Sequence, residues 1–284
     1  MSKLTITIAA GGRSLTVNQV DRGAGLFAEK LKGWYGTPKA KVEVTERASG
    51  DGAHSVPDEA VLYASRVVTI GLAAYGNGRP DVVDAMDALG VMAHHIVEVT
   101  VEDGGEVTTA YGYLSSEFDD EPSVDLHRGS ATIVCTDPRR YGVERSSVIV
   151  PFAGATGGLQ YDADADYILL PITFASDGTI SNATTVTNGG NSEAFPVITV
   201  EGDLPSGITL TGDWGQLVYA SPIGSGAPLV LDSLTRTATV LGVDVTRALT
   251  ARDFPTVPAQ GSATISANAD GAGTATISIR DTYI

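Results

Sequence analysis

The sequence predicts a mainly β protein in which an α+β domain is followed by an all-β domain. Segments in which apolar and polar residues alternate are separated by turn residues along most of the chain, which holds 33 glycines among 284 residues. This pattern is typical of β-strands. One segment, 80–94, follows the helical period instead. That period does not return beyond residue 148, so we expect the helix to belong to the first domain.

In the first half, five segments alternate with the period of two that half-buried strands show. They are 3–9 (KLTITIA), 40–46 (AKVEVTE), 66–71 (RVVTIG), 97–101 (VEVTV) and 106–113 (EVTTAYGY). In the third of these segments, the alternation places Arg66 on the same side as Val68 and Ile70.

The helical segment carries apolar residues on one face, at spacings of four, three, four and three. These residues are Val82, Met86, Leu89, Ala93 and Ile96. Pro80 fits the first turn of a helix, and Asp81 lies where the helix dipole favours a negative charge. We expect His94 and His95 to end the helix, where a cationic ring complements the dipole.

The second half predicts a β-sandwich or barrel, because short strands follow one another at similar spacing. In chain order from residue 168 to 281 they are ILLPITF, PVITVEG, ITLTG, PLVLD, RTATVLG, ATISA and ATISIRD. A run of Gly, Ala and Thr at 153–158 is the best linker candidate in the chain. We therefore divide the chain into domains 1–147 and 148–284.

The composition indicates an ordered and acidic protein. Its 18 Lys and Arg against 34 Asp and Glu give a formal charge of -16, which disfavours a sequence-independent grip on nucleic acid, since that needs clustered cations. One cysteine cannot form an intramolecular disulfide. Because neither a long apolar window nor an apolar leader is present, we expect a soluble protein made in the cytoplasm.

The stretch IVCTDPRRYG joins the single cysteine to two arginines and raises the question of an anion-binding active-site loop. Such a loop would place an arginine six positions after Cys135, with small residues between them whose amides surround the anion. Tyr141 stands at that position instead, and Pro138 removes one amide. Cys135 alternates with Ile133, so we expect it to face a core, where a thiol is inert. Asp137 and Pro138 predict a turn in which the aspartate accepts backbone hydrogen bonds.

A calcium loop is a second candidate for a ligand site. Asp162, Asp164 and Asp166 resemble its first ligands, but Tyr167 and Thr173 stand where the loop needs a glycine and a glutamate;. A solvated acidic loop is the simpler interpretation.

The sequence gives no support for a metal site, a phosphate-binding loop or a serine nucleophile. His54, His94 and His95 lack the carboxylate spacing of a metal site, and neither a phosphate-binding loop nor G-x-S-x-G occurs. Asn182 begins a glycosylation sequon, which is a short and unspecific pattern. We expect no catalytic residue, no metal and no cofactor, and therefore no enzyme.

Taken in order, these pieces resemble the distal tail proteins of long-tailed bacteriophages, which are also called minor tail proteins. The matching pieces are WYGTPKAKVEVTE, RVVTIG before a helix, DPRRYG, NGGNSEAFPVITVEG, PLVLDSLTRTATVLGVDVTR, VPAQGSATIS and SIRDTYI. Each piece alone is weak, but their order covers nearly the whole chain and makes the resemblance fairly specific.

The resemblance carries over structural residues rather than an active site. They are Asp137, Pro138, Tyr141, Asn188, Gly189, Pro196 and Gly202. Asn188 and Gly189 suit a turn with positive φ. Pro196 can begin a strand where its missing amide is harmless, and Gly202 can end it.

The family implies an N-terminal ring-forming domain, a β-sandwich or split barrel with one helix, followed by a galectin-like C-terminal β-sandwich. Six copies would form a closed ring at the tail tip of the virion, which requires head-to-tail contacts between subunits. The implied partners are the tail tube protein and the tail-associated or baseplate hub protein, with the tape measure protein and a receptor-binding protein as further partners. DNA would meet the ring only in transit, and no membrane is involved.

Two other functions stay open at this point. A carbohydrate-binding module for cell-surface adhesion would have measurable sugar affinity, and Trp214 in TGDWGQLVY is the ligand contact to consider, since sugars stack on aromatic faces. Such a module needs neither a helix-containing first half nor DPRRYG. A hydrolase would need two carboxyl groups ~5 to 9 Å apart, a spacing that a sequence does not show.

Overall fold

The computed structural model describes residues 4–18, 25–57, 61–119, 125–151 and 182–284. Its contacts divide the chain into two compact units, Met1–Val143 with Thr282–Ile284 (unit 1) and Glu144–Asp281 (unit 2). The assignment of domains 1–147 and 148–284 to separate roles stays a prediction. The expected linker at 153–158, the expected strand ILLPITF and the acidic loop of Asp162, Asp164 and Asp166 lie outside the described residues.

The regular elements of unit 1 are seven strands and one helix among the described residues. They are β1 (Thr5–Ala10), β2 (Arg13–Asn18), β3 (Gly25–Lys32), β4 (Arg66–Tyr75), α1 (Arg79–Gly90), β5 (Ile96–Asp103), β6 (Glu106–Phe118) and β7 (Leu126–Cys135). The next strand, β8 (Arg140–Ile149), begins in unit 1 and continues into unit 2.

The strands of unit 1 pair antiparallel in the order β2-β1-β5-β6-β7-β4-β3. The two ends of this series, β2 and β3, lie within contact distance of each other, and α1 contacts β3 and β4. The sheet therefore curls around one core, as expected for a split barrel with one helix. Residues that alternate along the strands fill that core, among them Ile6, Ile8, Val68, Ile70, Val99 and Ile133.

The helix α1 begins as predicted but ends earlier. Pro80 lies in its first turn, and Asp81 accepts a hydrogen bond from the backbone N–H of Asn77 at 2.9 Å. Val82 and Leu89 are buried, which confirms the first half of the predicted face.

The last turn of the predicted helix is wrong. The helix ends at Gly90, so His94 and His95 follow it instead of ending it. Ala93 and Ile96 are exposed, because the chain turns at residues 91–95 and Ile96 already belongs to β5. In that strand the alternation buries the next residue, Val97, and turns Ile96 outward.

The predicted strand 40–46 is also wrong. Only two isolated bridges occur there, between Ala40 and Tyr63 and between Glu46 and Ala53. Val44 is exposed. An alternating segment forms a strand only where a neighbouring strand pairs with its backbone and a core buries its apolar side chains. This segment has neither among the described residues.

The regular elements of unit 2 are strands and one 3₁₀ turn among the described residues. They are β9 (Ala183–Asn188), β10 (Val197–Asp203), β11 (Ile208–Gly212), β12 (Gly215–Tyr219), β13 (Leu229–Asp232), β14 (Thr237–Val240), β15 (Val243–Asp244), the 3₁₀ turn (Thr246–Ala248), β16 (Leu249–Arg252), β17 (Gly261–Asn268) and β18 (Ala272–Tyr283). The last strand returns the chain to unit 1 at Thr282.

Two sheets form unit 2. One has the order β16-β12-β11-β17-β9, and the other contains β15-β14-β13-β10-β18-β8. Their inward side chains share one core, with Leu210, Leu217 and Ile265 from the first sheet and Ile198 and Ile277 from the second. This arrangement is a β-sandwich, as the sequence predicted.

Candidate functional site

The DPRRYG segment forms a turn organised by Asp137. One carboxylate oxygen accepts the backbone N–H of Arg139 at 3.0 Å, and the other accepts the hydroxyl of Tyr141 at 2.5 Å. Burial, followed by the hydrogen bond to Asp137, raises the pKa of Tyr141 well above its ordinary value. The phenol therefore stays protonated and holds the start of β8 to the turn.

Arg66 joins this turn to a second loop of unit 1. The side chain is 1% exposed, and Nη1 and Nε donate hydrogen bonds of 2.8 to 2.9 Å to backbone carbonyl groups. The acceptors are the carbonyl oxygens of Gly33, Trp34, Gly36 and Pro138. One buried side chain thus fixes the backbone of two loops, a role that the inward position of Arg66 in RVVTIG could have suggested.

Cys135 lies opposite Arg66 in the pairing of β7 with β4. It is fully buried, which confirms the expected orientation toward the core. Burial is the main cause that raises the pKa of the thiol to about 11, although the charge of Arg66 acts in the opposite direction. A thiol that is buried and protonated is a poor nucleophile.

Arg140 packs between two aromatic rings. Its guanidinium carbon lies 5.7 Å from the ring centroid of Trp34 and 5.7 Å from that of Tyr283. Burial lowers the pKa of Arg140, while Glu106 and Tyr283 raise it. The indole of Trp34 is itself buried and donates to the hydroxyl of Thr108 at 3.2 Å. The sequence did not identify Trp34 or Tyr283 as contacts of Arg140, because both residues lie far from Arg140 along the chain.

In unit 2, Asn188 organises the turn after β9. The side chain is buried, and its amide group donates to the carbonyl oxygens of Ser192 at 2.7 Å and of Val257 and Pro258 at 3.2 Å. Its Oδ1 accepts the N–H of Gly190 at 2.9 Å. The amide group of Asn188 therefore replaces a backbone turn.

The expected positive φ at Asn188 and Gly189 is wrong, since neither residue has it. Gly189 instead donates its N–H to Asp281 at 2.7 Å, and the same carboxylate oxygen accepts from Arg145 at 2.5 Å. Arg145 also donates to the carbonyl of Thr187 at 2.7 Å. Side-chain hydrogen bonds shape this turn, so it needs no left-handed residue.

Pro196 and Gly202 flank β10. Pro196 directly precedes the strand, where its missing N–H takes no bond from the ladder;. Gly202 is the second-last residue of the strand and pairs with Gly273 of β18, with a φ of 136°. A Cβ atom on Gly202 would lie 2.4 Å from the Cα atom of Gly273. The glycine therefore permits a close approach of two strands.

Trp214 lies in the two-residue turn between β11 and β12 and is half-buried against the core. Its indole N–H donates to the carbonyl of Thr264 at 3.2 Å. The Trp214 side chain thus packs against the core, and only part of its ring is accessible to a ligand.

Two surface clefts of unit 2 lack an aromatic residue. One of about 400 Å³ is lined by Glu201, Gly202, Ser225, Gly226, Pro228, Gly273 and Thr274. A smaller one of about 170 Å³ is lined by Ser206, Gly207, Ile208, Thr209, Asn268, Ala269 and Asp270. Neither cleft offers the ring on which a sugar usually stacks.

An apolar row crosses four strands on the outward face of unit 1. Val67 of β4 pairs with Val134 of β7, which pairs with Tyr113 of β6, which pairs with Ile96 of β5. Val67 and Tyr113 are each 49% exposed, and Ile96 is 66% exposed. The solvent-facing side of an antiparallel sheet is normally polar, so a continuous apolar row there is a candidate interaction surface. We call these four residues the apolar row.

The described residues contain no group of three or more His, Cys, Asp and Glu side chains that could hold a metal ion. His95 packs against Gly11 in the turn between β1 and β2. No helix of the described residues has the length and apolar character needed to cross a membrane.

Solved structures of phage proteins share this fold. SPP1 Dit, a paradigm of the hub adsorption apparatus of phages that infect Gram-positive bacteria, matches with a TM-score of 0.64 and 15% identity, over 98% of this chain and 99% of its own. Chains of the phage p2 baseplate in its activated conformation match with a TM-score of 0.53, at 9% identity with strontium and 8% with calcium. Those matches cover 98% of this chain and 97% and 98% of the baseplate chains.

No protein-family model and no curated protein sequence matches the chain. The resemblance to distal tail proteins is therefore confirmed by structure at the level of the fold, at identities too low for sequence comparison to detect.

Proposed function

We propose that this protein is a structural virion component, a distal tail protein of which six copies form a ring at the tip of a phage tail. The ring joins the tail tube protein to the baseplate hub protein, meets the tape measure and receptor-binding proteins there, and lets DNA pass. In this proposal unit 1 forms the ring and unit 2 projects outward as the galectin-like domain.

The observation that carries this proposal is the likeness to SPP1 Dit over the full length of both chains. A shared single domain would say little about function, because common folds host many activities. Here a curled α+β unit and a β-sandwich follow one another in the same chain. An isolated adhesion module needs only the sandwich.

The apolar row supplies a contact surface for ring formation. A closed ring is built from head-to-tail contacts, so each subunit offers two different surfaces to its neighbours. Val67, Tyr113 and Ile96 present large apolar side chains on unit 1, and burial of such a row against the next subunit would remove it from water. The stabilisation is about 25 cal/mol for each Å² of apolar surface buried.

The net charge fits the passage of DNA. A channel that transmits DNA must not bind the phosphate backbone, and a formal charge of -16 repels it;. Lysine in place of lumen carboxylates should then slow genome ejection.

Native mass spectrometry of the purified protein, with negative-stain images of the same sample, tests the proposal. We expect a species of six subunits with a central hole. Tyr113→Glu places a charge in the middle of the apolar row and should shift the population to monomers. The matched control is Val243→Glu in unit 2, because Val243 is exposed but lies outside the row.

A wild-type protein that stays monomeric at high concentration would contradict self-assembly of the ring and favour the carbohydrate-binding alternative, which a glycan screen would then examine. If the wild-type protein and Tyr113→Glu form rings equally well, the proposed function would still be supported, but the apolar row would not be part of the interface.

A further inference from the structure

Two arginines of unit 1 keep a buried nitrogen without a hydrogen-bond partner. In Arg66 this atom is Nη2, although Nη1 and Nε of the same side chain are bonded to carbonyl oxygens. In Arg140 it is Nε. Buried donors in folded proteins are nearly always paired, so two such donors in one region are candidates to bind the same acceptor.

Both guanidinium groups border the same residue. Arg66 donates to the carbonyl oxygen of Trp34 at 2.9 Å, and Arg140 stacks over the indole ring of Trp34. Tyr283 covers the other side of Arg140 at the same distance of 5.7 Å from its guanidinium carbon. The two positive charges are close enough that Arg140 adds to burial in lowering the pKa of Arg66 to about 10.

These charges lack a direct counterion among the described residues. Within the described part of the chain, the ion pairs involve other residues, and neither Arg66 nor Arg140 takes part in one. Glu106 acts on Arg140 only through space. The acceptors of Arg66 are neutral carbonyl groups. Arg66 is buried and Arg140 is half-buried, and a buried charge beside a like charge is unfavourable without a counterion.

We propose that Arg66 and Arg140 bind a small inorganic anion of the halide class beside Trp34. Such an ion accepts charge-assisted hydrogen bonds from Nη2 of Arg66 and Nε of Arg140 and offsets the repulsion between the two side chains. A water molecule could accept the same hydrogen bonds but carries no charge. Because Arg66 is 1% exposed, a carboxylate or phosphate group of a macromolecule cannot reach it, which limits the ligand to a small ion.

Crystals grown in sodium bromide in place of chloride, with data collected at the bromine absorption edge, test the site directly. We expect an anomalous peak within hydrogen-bond distance of both unpaired nitrogens. Density for an ordered water there, without anomalous signal, would overturn the proposal.

The melting temperature of unit 1 gives a second test in solution. Chloride replaces gluconate at constant ionic strength, so that general screening does not change. In the wild-type protein we expect an increase of roughly 3 to 6 °C for each tenfold rise in chloride above half-saturation. This dependence should vanish in Arg140→Gln, which keeps the hydrogen bonds of Arg66.

The matched control is Arg128→Gln, because Arg128 is a largely exposed arginine of unit 1 whose ion pair with Glu29 lies at the surface. Arg128→Gln should retain the chloride dependence. Identical dependence in Arg140→Gln and the wild-type protein would contradict the site. Both tests are independent of ring formation.

Discussion

Nε of Arg66 donates to the carbonyl oxygen of Pro138 at 2.8 Å, across 72 residues of sequence. Through this bond, β4 holds the DPRRYG turn that follows β7. Nη1 of the same side chain holds the loop that follows β3 through three further carbonyl groups. Two of the seven segments that carry the resemblance to distal tail proteins, WYGTPKAKVEVTE and DPRRYG, are thus held by one buried cation.

Arg66→Leu should strongly destabilise unit 1. The substitution leaves several buried carbonyl groups without their donor, and each such loss costs about 1–3 kcal/mol. We expect a decrease of about 3 kcal/mol or more in the free energy of unfolding. Urea denaturation followed by fluorescence measures it in a Trp214→Phe background, where Trp34 of unit 1 is the single tryptophan.

Arg128→Leu serves as the control, because its surface ion pair with Glu29 is worth about 0–1 kcal/mol;. Equal effects of the two substitutions would show that Arg66 contributes no more than an exposed arginine does.

Gly202→Ala should destabilise unit 2. The residue has a φ of 136°, and its new Cβ atom would lie 2.4 Å from both the carbonyl oxygen of Ala272 and the Cα atom of Gly273. Backbone strain and overpacking together should cost about 3 kcal/mol. Hydrogen exchange of the β10 amides, read by mass spectrometry, should become faster.

Gly189→Ala is the matched control within the same unit. Gly189 does not have a positive φ, and an added Cβ atom would make only ordinary contact with Asp281, at 3.5 Å. We expect a change within about 0.5 kcal/mol. A large effect at Gly189 with none at Gly202 would reverse this account of the two glycines.

The fold could be predicted from sequence wherever a periodic pattern coincided with a core. RVVTIG, VEVTV and EVTTAYGY alternate and each buries one face, so all three became strands. AKVEVTE alternates equally well, but within the described ranges it has no neighbouring strands that would bury a face. The pattern is a property of the segment, whereas burial depends on its neighbours.

The candidate interaction surface could not be predicted in this way. The apolar row combines Val67, Val134, Tyr113 and Ile96 from four segments, and only the strand register brings them together. Sequence reasoning assigned Ile96 to the buried face of a helix. For Arg66 a signal did exist, since a charged residue at an inward position of an alternating strand requires buried partners.

Trp214→Ala should weaken unit 2 rather than a sugar site. The indole packs against the core and donates to Thr264, so its loss should cost about 2 kcal/mol. Thermal unfolding followed by circular dichroism measures this change, and a glycan array compares wild-type and variant proteins. Sugar binding by the wild-type protein that disappears in a stably folded Trp214→Ala variant would support the adhesive alternative.

Cys135 should resist alkylation in the folded protein. The thiol is buried, and its pKa of about 11 leaves little thiolate at pH 8. Iodoacetamide should therefore modify Cys135 only after denaturation, as measured by intact-protein mass spectrometry. Rapid modification of the native protein at pH 8 would contradict the buried position and reopen the question of a reactive cysteine in IVCTDPRRYG.

The same thiol should make the stability of unit 1 depend on alkaline pH. Its pKa rises from 9.0 in the free side chain to about 11 in the folded protein, so between these values the unfolded chain has lost a proton that the folded chain retains. The free energy of unfolding then decreases as the pH rises from 9 to 11. Cys135→Ala should flatten this slope relative to the wild-type protein in denaturant titrations at pH 8, 9, 10 and 11. Equal slopes for the wild-type protein and Cys135→Ala would mean that the thiol has the same pKa in the folded and unfolded states. Burial would then not raise the pKa of the thiol.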